Sequence, residues 1–132
     1  MATDDAMARA LRLQREAAGQ GFDWAELDPV WDKLQEEIGE LREVAGDPRR
    51  AREELGDLLF MVVNLARHLG LDPAEALRAA NRKFERRYAS VITDAAALPP
   101  VGDPARLVAM EARWQAAKRA ETRHDDGGES DD

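Results

Sequence analysis

Four Asp-Pro pairs punctuate this chain, at Asp28-Pro29, Asp47-Pro48, Asp72-Pro73 and Asp103-Pro104. An aspartate side chain accepts hydrogen bonds from the free N–H groups of a helix start, and proline suits the first helical position, where its missing N–H is not needed. Each pair therefore predicts the start of a helix. Asp72 is followed three residues on by Glu75, close to a capping box. Between the pairs, apolar residues recur at helical spacing and no strand alternation appears. Gly19, Gly46 and Gly70 stand where C-terminal glycines belong. These signals predict helices over about 4–18, 29–45, 48–69, 73–92 and 104–121, with ALPPVGD as a loop. The fold class expected is all-α, an antiparallel helical bundle of four to five helices. Residues 1–121 are expected to form one domain. The remainder, TRHDDGGESDD at 122–132, is acidic, has no apolar residue and is expected to be disordered.

Composition narrows the function. The chain has no Cys, so disulfides, thiolate metal sites and cysteine nucleophiles are excluded. The formal charge of −8 argues against a broad nucleic-acid-binding face. No apolar run reaches the ~20 residues of a membrane span, and the N-terminus does not read as a signal peptide. A cytoplasmic protein bound to neither nucleic acid nor membrane is the expectation.

The acidic residues raise the sharper question. The second helix reads EEIGE at 36–40, and the third reads EELGD at 53–57. Val30, Trp31, Leu34, Ile38, Leu41 and Ala45 form an apolar stripe, with Lys33, Glu37 and Glu40 along its edge. On the third helix Leu55, Leu58, Leu59, Val62, Leu65 and Leu69 read as the core stripe. Glu54, Asp57, Met61, Asn64 and His68 form a second stripe beside it, and Phe60 and Val63 project on the remaining side. If the two helices are neighbours, Glu37 and Glu40 face Glu54 and Asp57, each pair spaced i,i+3. Carboxylates so placed must take up protons or bind a cation. Oxygen ligands without Cys suit Mg²⁺ or Mn²⁺. Gly39 and Gly56, each before an acid, are expected to permit close approach of a helix, a water or a ligand.

These residues resemble the MazG nucleoside triphosphate pyrophosphohydrolases, a family of all-α enzymes. The acidic motif Glu36-Glu37-Ile38-Gly39-Glu40 with Glu54-Leu55-Gly56-Asp57 carries the resemblance. GFDW at 21–24, Lys33, GDLLF and VNLARHLG through 56–70, ANRKFERRY at 80–88 and WQAAK at 114–118 extend it, so that residues of about 8 to 120 look like the C-terminal catalytic unit of two-unit members. The resemblance implies Mg²⁺-dependent hydrolysis of nucleoside triphosphates to monophosphates and pyrophosphate, in nucleotide-pool control. It implies Glu37, Glu40, Glu54 and Asp57 as metal ligands, with Glu36 binding a second ion or taking a proton from water. It implies Lys33 and Lys83 beside the phosphates with Arg87 one turn beyond, Asn81 as a polar neighbour, and Trp114 and Lys118 facing the nucleotide. It also implies dimers, and because the third helix carries more apolar surface than one small bundle readily covers, a homodimer is expected that buries Phe60 or Val63 or both, unless the first helix folds back over that side through Met7, Ala10 and Leu11.

Plainer roles exist for each residue. Glu36 and Glu40 can form surface pairs with neighbouring cations, KFERR can be a solvated face, Asn64 a core hydrogen-bonding residue, and Trp24, Trp31 and Trp114 packing residues. A di-iron bundle needs Glu-x-x-His pairs on facing helices, which the helical core lacks. The remaining alternative, a non-catalytic helical interaction or regulatory module, leaves the buried acids unexplained.

Overall fold

A computed structural model describes residues 5–128. Its helices are α1 (Ala6–Gly19), α2 (Asp28–Val44), α3 (Pro48–His68), α4 (Pro73–Ile92) and α5 (Pro104–Gly128), with a short 3₁₀ turn at Ala95–Ala97. No strand occurs among the described residues. The all-α expectation holds.

Three of the four Asp-Pro pairs act as read. Asp47 accepts from the N–H groups of Arg49 and Arg50, Asp72 from Ala74 and Glu75, and Asp103 from Ala105. Asp28 does not cap: it is already the first residue of α2, behind Leu27, and no side chain caps that helix. Asp5 caps α1 instead. Gly70 ends α3 in the left-handed region at φ 72°, with the Leu71 N–H donating to Ala66 O and its own N–H to Arg67 O. This is the Schellman arrangement. For α1 the same role falls to Gly21, at φ 87°, rather than to Gly19. The last helix was expected to stop near residue 121, but α5 continues to Gly128, into the stretch expected to be disordered. Its capping and packing signals stop earlier, yet no Pro or Gly interrupts the chain before Gly127. Residues 129–132 of the expected tail lie outside the described residues.

By backbone contact the chain divides into two compact units, one through Leu77 and one from Arg78, with the division inside α4. The first unit is built on α3. Val30 and Leu34 of α2 pack with Met61, and Leu27, Leu58 and Leu65 close around them. The pairing runs antiparallel, as the three-residue connection Ala45–Asp47 requires: Val30 and Leu34 meet the C-terminal half of α3, while Glu37 meets Glu54 and Asp57 nearer its start. α1 lies along α3 on another side, where the Gln14 Nε2 donates to Phe60 O at 2.9 Å. Leu11 and Val63 are buried there, and Val63 shares a cavity lining with Met7 and Ala10. The first helix thus covers the Val63 side within one chain, the alternative the sequence left open.

The core stripe of α3 is rotated from expectation. Leu58 and Leu65 turn inward, but Leu55, Leu59, Val62 and Leu69 stay 41–50% exposed, as do Trp31 and Ile38 of α2. Met61, Asn64 and Val63 are buried instead. Helical spacing alone places a band of side chains on a face; it does not say which of two adjacent bands meets the neighbour.

In the second unit, Val91 and Leu98 are buried. Arg113 of α5 donates to the carbonyls of Val91 and Thr93 at 2.9 and 2.6 Å, capping the end of α4, and Arg106 donates to Pro99 O at 2.8 Å.

Candidate functional site

The acidic motifs meet where α2 and α3 cross. One carboxylate oxygen from each of Glu37, Glu54 and Asp57 lies within 4.8 Å of the others. Glu37 is only 6% exposed, although three positions along α2 from the core residue Leu34. Its Oε2 and the Oε2 of Glu54 are buried without any hydrogen-bond partner. Orphaned carboxylate oxygens away from water are costly unless a cation satisfies them. Three such oxygens, two of them orphaned or adjacent to orphans, fit a hard divalent cation. Asp57 is exposed and forms the solvent side of the cluster.

Glu40 lies beside this trio rather than within it. Its carboxyl is pushed up to about 7, first by a hydrogen bond to Glu54, then by burial and by the charges of Glu37, Glu54 and Glu36. Glu40 therefore holds the proton that relieves repulsion among the acids. Its folded pKa lies above the ordinary carboxylate value, so its contribution to stability is present in mild acid and is lost as pH rises through about 7. The expected result in chelator is a melting temperature that declines between pH 5 and 8, and one that Mg²⁺ restores at the alkaline end. Differential scanning calorimetry across that range checks it; the same decline with Mg²⁺ present would remove the metal from the explanation.

Lys33 places its Nζ 3.3 Å from both Glu36 and Glu37. These contacts, the Glu36 hydrogen bond foremost, raise its affinity for its proton. Glu36 itself points to solvent, 55% exposed at the side chain, one residue from the buried Glu37. A Cβ built at Gly39 or Gly56 meets nothing within 4 Å, so neither glycine serves tight packing within the chain. They leave open surface next to the acids.

Of the remaining residues marked by the sequence, Asn81, Lys83 and Lys118 lie exposed in the second unit. Arg87 is largely covered. Its Nε and Nη2 both meet Glu121 Oε2 at 2.8 Å, and its guanidinium lies 5.4 Å from the Trp114 ring centre. The Trp114 ring also rests against Phe84. One task of Trp114 is thus to hold Arg87, and the Arg87 hydrogen bond keeps the Glu121 carboxyl below its usual range.

Sequence reading missed one cluster altogether. Asp23, in the loop after α1, takes two hydrogen bonds from Arg67 of α3, at 2.8 and 2.6 Å, and lies 3.0 Å from His68 Nε2. The Arg67 contacts hold the Asp23 carboxyl well below the usual carboxylate range. Arg67 also donates to Asn64 Oδ1 at 2.8 Å. The only sequence signal was the presence of both partners in stretches that carry the family resemblance, GFDW and VNLARHLG. This cluster edges a pocket of about 320 Å³ walled by Leu13, Ala17, Phe22, Trp24 and Phe60.

Comparison with known proteins agrees with this geometry. Residues 28–92, from the start of α2 to the end of α4, match the MazG nucleotide pyrophosphohydrolase domain. The chain is 47% identical over 122 residues to the nucleoside triphosphate pyrophosphohydrolase of Escherichia coli (strain K12), covering 88% of this chain and 46% of that protein. It is 51% identical over 83 residues to the nucleoside triphosphate pyrophosphohydrolase/pyrophosphatase MazG of Thermotoga maritima, covering 63% of this chain and 32% of that one. It thus spans less than half the length of these relatives. The matched region contains every member of the acidic cluster, and the chain belongs to the MazG family of nucleotide pyrophosphohydrolases.

Proposed function

We propose that this chain hydrolyses nucleoside triphosphates to monophosphates and pyrophosphate, with Mg²⁺ or Mn²⁺, as part of nucleotide-pool control in the cytoplasm. The observation that carries the reading is the convergence of Glu37, Glu54 and Asp57, with two orphaned carboxylate oxygens, inside a MazG domain. These three, with Glu40 once it gives up its proton, would hold the ion. A bound divalent ion neutralises phosphate charge and lowers the pKa of a coordinated water. Glu36 is exposed beside the cluster and accepts the proton of the attacking water. Lys33, held by Glu36 and Glu37, keeps a positive charge beside the phosphates. Asn81, Lys83, Arg87 and Lys118 contribute the further polar and cationic contacts that the leaving pyrophosphate requires, and Trp114 acts by holding Arg87 in place.

The proposed assembly is a homodimer. Val63 is buried beneath α1, whereas Leu55, Leu59, Phe60, Val62 and Leu69 are half exposed, and these support an apolar contact face on that side of α3.

A panel of ribo- and deoxyribonucleoside triphosphates with Mg²⁺, scored by pyrophosphate release, tests the activity. Release of pyrophosphate that stops in excess chelator is the expected result. Orthophosphate as the first product, or no turnover with any member of the panel, would favour a non-catalytic module.

A further inference from the structure

Lys83 and Arg87 stand one turn apart on α4, and Trp114, Lys118 and Glu121 recur at i, i+4 and i+7 on α5, so each set shares one helix face. The two faces meet. The Trp114 ring rests against Phe84 and lies under the Arg87 guanidinium, and Glu121 reaches both Arg86 and Arg87. Lys83, Arg87 and Lys118 are cations that the proposed reaction assigns to the phosphates. Glu121 has the opposite sign. A carboxylate among them repels a polyphosphate, so it weakens binding unless it serves one of the cations by more than that repulsion.

The contacts name that cation. Arg87 Nε and Nη2 both meet Glu121 Oε2 at 2.8 Å. These nitrogens form one edge of the planar guanidinium. Neither contact uses Nη1, so the end of the fork keeps donors for a second anion, and a phosphate takes two such N–H groups in parallel. The Arg87 Cζ lies 5.4 Å from the Trp114 ring centre, over its face. One partner thus fixes the edge of the guanidinium and another its face, and the Arg87 side chain is only 13% exposed. The Arg86 contact is of another kind. It is 3.5 Å long, from a side chain that is 61% exposed, and such pairs contribute little in water. The Arg87 hydrogen bond also holds the Glu121 carboxyl below its usual range, which keeps it charged at neutral pH.

We infer that Glu121 is a positioning residue for substrate binding: it grips Arg87 by one edge, so that the remaining end of the guanidinium stands ready for the phosphate oxygens of a nucleoside triphosphate. The inference rests on the proposed hydrolysis of nucleoside triphosphates, and adds to it a residue that touches no substrate. A long arginine side chain held in advance has less rotamer freedom to lose when the ligand arrives. It is also kept from wandering to other carboxylates, which are plentiful in a chain of net charge −8.

A double-mutant cycle on the full chain tests it. Glu121→Ala is expected to raise KM for the best nucleoside triphosphate about tenfold, with kcat within about threefold of the wild type. Arg87→Gln should raise KM at least as much. The double variant should be no worse than Arg87→Gln alone, because Glu121 acts through Arg87. Arg86→Gln should leave KM within about twofold, as an exposed pair does. Should Glu121→Ala disturb α5, seen as lost helical signal in circular dichroism, Glu121→Gln carries the same cycle. Its amide oxygen still accepts but has no charge, so the rise expected is about threefold. A residue that only anchors α5 would lower the melting temperature and leave KM alone. An unchanged KM, a lower KM as mere relief of repulsion would give, effects that add in the double variant, or an equal rise in Arg86→Gln would each overturn the inference. If no triphosphate is hydrolysed, titration of inorganic tripolyphosphate with Mg²⁺ reads the same cycle as dissociation constants. The same pattern then upholds the positioning role while the reaction fails, and equal binding by all variants, or none by the wild type, overturns that role too.

Discussion

Asp57→Asn is expected to lower the rate of pyrophosphate release on the order of 100-fold or more, as loss of a charged group that serves the transition state does. The protein should remain folded, because Asp57 is exposed and contributes nothing to the core of Val30, Leu34 and Met61. In chelator the variant should be no less stable than the wild type, since the change removes one charge from a group of carboxylates that repel one another. Mg²⁺ should raise the melting temperature of the wild type, because a ligand that binds only the native state stabilises it by mass action. That rise should be much reduced in Asp57→Asn. The combination separates a metal ligand from a surface acid: a surface acid would leave both the rate and the Mg²⁺-dependent rise intact. Glu37→Gln is the less informative partner experiment, because Glu37 is buried and its loss perturbs Lys33 as well. Wild-type turnover that persists in excess chelator would sink the metal assignment whatever the variant does.

The legible parts of this protein were those written in local chemistry. Asp47, Asp72 and Asp103 cap because an Asp-Pro pair satisfies a helix start without help from elsewhere. The acids could be grouped because i,i+3 spacing puts Glu37 with Glu40 and Glu54 with Asp57 whatever surrounds them. What could not be read was rotation. Leu58 and Leu59 are neighbours in sequence and equally apolar, and only the position of α2 decides that one is inside and the other half exposed. Glu40 shows the same limit on a smaller scale: spacing groups it with Glu37, yet it meets Glu54 by a hydrogen bond and stands outside the trio. The Asp23–Arg67 pair was illegible for a different reason. Its members are 44 residues apart and meet only through the loop that Gly21 turns. No periodicity joins such residues, so the second half of the candidate site emerged only from the fold.

Sedimentation at micromolar concentration is expected to give a single species of twice 14.7 kDa, and Leu59→Glu is expected to split it. Leu55, Leu59 and Val62 recur at helical spacing on α3 and Leu69 follows just past its end on the same side, so they form one strip, and each is 41–50% exposed in the single chain. A strip of this kind usually marks an association surface. Trp31 and Ile38 of α2 are similarly exposed, which gives a second apolar helix face. Completing the burial of a half-exposed leucine is worth about 1 kcal/mol, half of the ~1.5–3 kcal/mol for a full side chain. In a two-fold contact every substitution counts twice. Leu59→Glu loses that burial from both copies and must also desolvate a carboxylate in each. At 1.4 kcal/mol per tenfold, the dissociation constant should rise on the order of 100-fold or more. Phe60→Glu is a poorer probe, since Phe60 also walls the pocket beside α1 and its loss would change that site directly. A wild-type species near 14.7 kDa would refute the dimer. A dimer that survives Leu59→Glu and Val62→Glu alike would keep the assembly but move it to another face.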